Sequence, residues 1–213
     1  MAYTQPTLVQ LRDSIESKLR DTANEAFSAA EVDALLNEGI VEVNRLYPLM
    51  VIEDVDVVDT DEDGNIDREY TVASTEVSRA EVWRESAFRS VIPQMDGEAD
   101  SGWDLWGTTF TVPNFVSLDE DLDTVRLYGY QDRDVLDDDA DVLESDAEAE
   151  YAIRSYAVLM GYQRLQNDRS LYQQWLKAPG NNEMSPNQLD SMVNTYIAQW
   201  ERLRGHLRRM RRA

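Results

Sequence analysis

Hydrophobic spacing changes period twice along the 213 residues. Leu8, Leu11, Ile15 and Leu19 fall three or four apart behind Pro6-Thr7, which predicts a helix over 7–21. A second helix is predicted to open at Ser28, where Glu31 completes a capping box. Its apolar face is Val32, Leu35, Leu36, Ile40, Val43 and Leu46, and Pro48 ends it. From Met50 the period drops to two. Val51, Val55 and Val57 alternate with acids, the mark of a half-buried strand. Further strand-like pieces at 68–74, 75–84, 108–112 and 124–130 lie between turn signals at 61–65, at Asp96-Gly97 and at 117–123.

Beyond 131 the helical period returns. Residues 131–150 hold ten acids against Arg133, which reads as a solvated linker running into a helix capped by Ser145 with Glu148. That helix carries Tyr151, Ile153, Tyr156, Leu159, Met160 and Leu165 and breaks at Asn167-Asp168. Leu171, Tyr172, Trp175 and Leu176 make a short helix before Pro179-Gly180. Ser185-Pro186 is an N-cap with Pro at the first helical position. The last helix then spaces Leu189, Met192, Val193, Tyr196, Ile197, Trp200, Leu203, Leu207 and Met210 into one stripe. The expected class is α+β: a helical bundle built from 1–48, 132–184 and 185–213, with a small antiparallel β region, 49–131, inserted.

Composition adds a core supply, with 42% hydrophobic residues, 5 Trp and 10 Tyr. Cys is absent, so disulfides and cysteine zinc sites are excluded. No apolar run reaches the length of a membrane span, and the start lacks a signal-peptide pattern, so a soluble protein is expected. Charge changes the picture more. The net formal charge is −22, yet Arg202, Arg204, Arg208, Arg209, Arg211 and Arg212 stand against only Glu201 at the end. The first 200 residues therefore carry −27 and should repel nucleic acid and anionic lipid. Arg outnumbers Lys 18 to 2, and Asp outnumbers Glu 24 to 18. This Asp-rich, Lys-poor balance suits a protein working in concentrated salt, where screening shortens the Debye length to about 3 Å. A GC-rich genome gives the same Arg bias.

Candidate chemistry is sparse. Asp59, Asp61, Asp63, Gly64 and Ile66 match the opening of a calcium loop, but Tyr70 stands where the closing carboxylate belongs. A calcium-dependent binding module using the Asp59-Asp61-Asp63 loop is the alternative function. An Asp-Gly hairpin turn in an acid-rich protein is the favoured reading of the run, and no cofactor or metal is expected. His206 is the only histidine and lies among arginines. With no Cys and one His, nucleophilic triads and zinc hydrolysis lose their parts, so no enzyme is expected. Glycines are scattered, without a phosphate loop. The pair Trp103 and Trp106 reads as closing a small β core rather than as a ligand platform.

The tail admits a solvated helix end, a phosphate contact, or a docking surface in which arginines reach acidic partner groups while apolar neighbours bury. The interleaving of Trp200, Leu203, Leu207 and Met210 with Arg202, Arg204, Arg208, Arg209, Arg211 and Arg212 favours docking onto a protein. Truncation after Gln199 is then expected to leave a folded body that no longer docks.

The chain resembles the head-to-tail adaptor (connector) proteins of tailed viruses. Thr7-Leu8-Val9-Gln10-Leu11-Arg12, then the segment Phe27-Ser28 through Leu35-Leu36-Asn37-Glu38, then Glu148-Ala149-Glu150-Tyr151-Ala152-Ile153, through Tyr156-Ala157, carry the likeness. The resemblance implies a helical-bundle protomer in a dodecameric ring beneath the portal protein, in the virion neck, after assembly in the host cytoplasm. It implies that Trp200 to Arg212 clasp the portal, and that the β region faces a neck or tail protein or the adjacent protomer. Genome DNA would pass through the channel without specific binding, and no membrane is involved. The acidity exceeds the family's pattern; a salt-rich setting or a negatively charged channel wall accounts for it.

Overall fold

The computed structural model describes residues 3–59, 66–84, 87–91, 102–113, 116, 118 and 123–211, with backbone alone at 83, 84 and 87–91. The expected turn at Asp96-Gly97 and most of 117–123 lie outside these residues. The fold is α+β, and the chain divides into two compact units. One is Met1–Pro48 with Arg133–Ala213, and the other is Leu49–Asp132.

The first unit holds α1 (Leu8–Leu19), α2 (Ala29–Leu46), α3 (Ala147–Asn167), α4 (Arg169–Trp175) and α5 (Pro186–Met210). Local chemistry sets their ends. The Ser28 N–H and hydroxyl donate to Glu31 at 2.8 and 2.7 Å, holding its carboxyl below the ordinary glutamate range. Ser185 and Gln188 form the same box ahead of Pro186. Asp168 closes α3 and caps α4 by accepting the Ser170 and Leu171 N–H groups. The helix predicted to be capped by Ser145 is capped instead by Asp146, which accepts the Ala149 N–H at 2.7 Å. Ser145 is buried and bonded to the Tyr3 hydroxyl, so it is not free to cap.

α3 packs against all four other helices. Small residues make this possible: a Cβ at Gly39 of α2 would stand 2.8 Å from the Ile153 carbonyl oxygen, so those two backbones touch. The Trp175 indole N–H donates to the Leu19 carbonyl at 2.7 Å, tying the end of α1 to α4. Buried Asp21 accepts the N–H groups of Glu25, Ala26 and Phe27, shaping the turn into α2.

The acidic segment ahead of α3 is not the solvated linker its composition suggests. Asn37 and Asn44 of α2 each read one peptide of it. Asn37 donates to the Leu136 carbonyl and accepts the Leu136 N–H, both at 3.0 Å. Asn44 does the same to Arg133, at 3.0 and 3.1 Å. Seven residues of helix and three of extended chain both span about 10 Å, which is why the two pairs register. Leu136 and Leu143 are buried beneath this strap, while its carboxylates face outward. A bridge between Thr7 and Val142 and an Arg12 clamp on Asp33 and Asp139 complete the attachment.

The second unit holds β1 (Leu49–Asp56), β2 (Glu69–Thr71), β3 (Glu76–Arg84), β4 (Ala87–Val91), β5 (Asp104–Trp106), β6 (Thr109–Thr111) and β7 (Thr124–Gln131). They form an antiparallel four-stranded sheet, β1-β7-β3-β4, and a three-stranded one, β2-β6-β5. The two share one core: Val77, Ala80, Val82, Val125 and Leu127 of the larger sheet meet Tyr70 and Phe110 of the smaller. β4 and β5 carry no clear alternation in the sequence and were not predicted.

Candidate functional site

The arginine-bearing end of α5 is the sequence's chief candidate, and α5 runs antiparallel to α3. Near its start Gln166 donates to Asp190 at 2.8 Å, and farther along Gln199 donates to the Tyr151 hydroxyl at 2.7 Å. Between them Tyr196 stacks on Tyr162, with centroids 5.3 Å apart, and Trp200 meets Tyr156 edge-on at 4.9 Å.

The expected mixed docking surface splits in two. Trp200 is 6% exposed and Leu207 1%, both inside the chain's own helical core. Leu203 packs partly against that core, and Met210 is half-buried. Arg202, Arg208, Arg209 and Arg211 are exposed, and Arg204 is half-buried beside Glu201 at 3.6 Å. Arg212 lies outside the described residues. What the helix end offers a partner is therefore mainly guanidinium. An apolar stripe read from spacing does not say whether it faces the chain's own core or another protein. α3, about 31 Å long by its residue count, settles it for the stripe through Tyr162 against Tyr196 and Tyr156 against Trp200. Truncation after Gln199 would strip two buried side chains, Trp200 and Leu207, from the core and is therefore expected to destabilise the body as well as remove the arginines.

Along α5, from near its start to Leu203, runs an open groove of about 1020 Å³, lined by Tyr151, Asn187, Ser191, Asn194, Ala198 and Arg202 among others. Tyr151, expected on the core face, is 42% exposed at its rim, and Ile197 is exposed too. Two tyrosines at the strap are held by carboxylates: Tyr3 donates to Glu150 at 2.6 Å and Tyr47 to Asp146 at 2.9 Å. Burial first, and then the neighbouring carboxylate, pushes each phenol up to about 12. These contacts fix the two phenols against the strap and the start of α3.

In the candidate calcium loop, Asp61 and Asp63 lie outside the described residues. Tyr70, at the closing position, is a core side chain whose hydroxyl donates to the Asp67 carbonyl at 2.6 Å. Strands, not helices, flank the run on both sides. Of the tryptophan pair, Trp103 packs on Phe110 with centroids 5.6 Å apart, as a core member. Trp106 is 84% exposed and closes nothing.

Sequence reasoning missed the exposed row on the larger sheet. Met50 is 68% and Ile52 58% exposed, opposite in phase to Val51 and Val55. The signal was present: apolar residues occupy both phases of the strand at 49–52. Among the described residues no helix is long and apolar enough to cross a membrane. No protein-family model matches the chain, and no curated protein matches it at a significant level.

Proposed function

We propose that the chain is a structural, non-catalytic head-to-tail adaptor of a tailed virus, forming a ring beneath the portal protein in the virion neck. The observation that carries the reading is the exposed guanidinium cluster, Arg202, Arg208, Arg209 and Arg211, ending a long helix on a chain of net charge −22. A protein this acidic repels nucleic acid, so this basic helix end suits an acidic protein surface, here on the portal. The other carboxylates then suit a channel wall along which DNA slides without sticking. The bundle order, with a capped α2, the acidic-Tyr-Ala start of α3 and a C-terminal helix, supports the same reading.

The test is electron microscopy and co-sedimentation with purified portal protein, at low and molar salt. A stacked ring is expected, and Arg208→Glu with Arg209→Glu should abolish portal binding while leaving the far-UV circular dichroism unchanged. A monodisperse monomer that ignores portal at both salts would sink the proposal.

A further inference from the structure

The groove along α5 is built from one face of that helix. Asn187, Ser191, Asn194, Ala198 and Arg202 recur three or four residues apart, and all five are exposed. The same spacing continues through Gly205 to Arg209, so the face that lines the groove leads into the arginine cluster. From Asn187 to Leu203 the helix rises about 24 Å, the reach of about seven extended residues.

Charge sets this groove apart on a chain of net −22. Among the described lining residues Asp190 carries the one carboxylate, and it accepts the Gln166 amide at 2.8 Å. Arg202 joins no ion pair among the described residues, and the neighbouring Glu201 pairs with Arg204 at 3.6 Å. At the rim the Lys18 ammonium lies over the Tyr151 ring, 5.7 Å from its centre. Glu150, next to Tyr151 in sequence, is already held by Tyr3 at 2.6 Å and by Arg154 at 2.9 Å. Against a body that repels anions, the groove thus sets Arg202 inside and Lys18 beside its rim.

The lining also selects the form of a ligand. A helix docks in a groove through apolar anchors. Asn187, Ser191 and Asn194 instead present amide and hydroxyl groups, which suit the N–H and carbonyl groups of an extended main chain. We infer that an extended acidic segment of the portal lies along this groove, its carboxylates toward Arg202 and its main chain on Asn187, Ser191 and Asn194. The assignment rests on the portal reading and says where, beyond the arginines that end α5, the portal is held.

The test uses the full chain at about 0.15 M salt, where screening over about 8 Å mutes the body's repulsion but not close contacts. Three substitutions at exposed positions probe the groove with the arginine end untouched. Co-sedimentation should show portal affinity falling about tenfold for Asn194→Asp and for Ser191→Trp, and rising about threefold for Asn194→Arg, with the circular dichroism unchanged. A fluorescein-labelled heptapeptide alternating Asp and Ser reads the groove without portal. Its anisotropy should rise on the unaltered chain and stay low on Ser191→Trp. Portal binding that none of the three changes alters, while Arg208→Glu with Arg209→Glu abolishes it, overturns this inference alone. Asn194→Arg weakening binding as much as Asn194→Asp overturns the acidic occupant, and so does a peptide that binds both chains alike or neither. Ring-sized species lost from sedimentation velocity with Ser191→Trp assign the groove to a second copy instead. An unaltered chain that binds the peptide at the groove but ignores portal overturns the portal reading and leaves the groove's acidic ligand standing.

Discussion

The helical unit and the β unit solve the same burial problem with different completeness. α3 is buried around most of its girth because helices pack on several sides of it, and its surface is accordingly small: Ala149, Ala152, Ser155, Ala157 and Gly161. The larger sheet has two faces and, among the described residues of its unit, one covering partner. Its inner face meets the small sheet, while Met50 and Ile52 stand on the outer one. A central helix surrounded by its own chain has little left to offer, whereas a sheet covered once keeps a face and an edge. That contrast leaves an exposed apolar row in the β unit and mainly guanidinium at the end of α5 in the helical unit.

The hardest way to break the comparison is to hollow the helical core. Trp175→Ala removes a fully buried indole and its bond to Leu19, and should cost about 4 kcal/mol. Urea unfolding followed by far-UV circular dichroism reads this, and a cost under about 1 kcal/mol would show that the core is looser than its burial implies. Next comes backbone contact. Gly39→Ala forces a Cβ against the Ile153 carbonyl and should cost about 1–3 kcal/mol. Gly161→Ala meets only the flexible end of Leu19 and should cost less in the same assay.

A milder change probes the strap. Asn37→Ala leaves the Leu136 N–H and carbonyl without their partners on α2, for about 1–2 kcal/mol. Hydrogen exchange should quicken at the Leu136 amide, and unchanged protection would mean that the strap is held by its other attachments. The smallest effect concerns Glu16, whose carboxyl burial, and then Asp13, lift above the ordinary range. Raised in the folded state, it favours folding when protonated; that contribution is present at acid pH and lost as pH rises through the folded value. Glu31 has the opposite sign: its depressed carboxyl stabilises above the unfolded range and loses that effect as pH falls. Glu16→Gln should therefore raise stability at pH 7, by less than about 1 kcal/mol, with no gain near pH 3. A thermal melt at both pH values checks the sign, and a loss at pH 7 would contradict it.

Much of the fold was legible because its signals are local. The helix predicted over 7–21 runs Leu8–Leu19, and the capping box at Ser28 opens α2. Strands predicted at 75–84 and 124–130 are observed as Glu76–Arg84 and Thr124–Gln131. The candidate site was legible only in part. Its arginines were evident from composition, but Trp200 and Leu207 were assigned to a partner and belong to the chain's own core. The strap was read as solvent-facing because its carboxylates are; the asparagines that hold it sit about a hundred residues earlier in α2.

The sequence by itself determined where helices start and stop, the α+β class, the charge contrast between body and tail, and which faces are apolar. Each follows from periodicity, capping chemistry or a count, all of which act within a few residues. Only the tertiary structure decided what covers each apolar face: α3 for the stripe of α5, α2 for the strap, the small sheet for one side of the large one, and nothing described for Met50 and Ile52. Periodicity creates a face, but its partner comes from distant chain, and that choice depends on lengths and packing that no local pattern encodes.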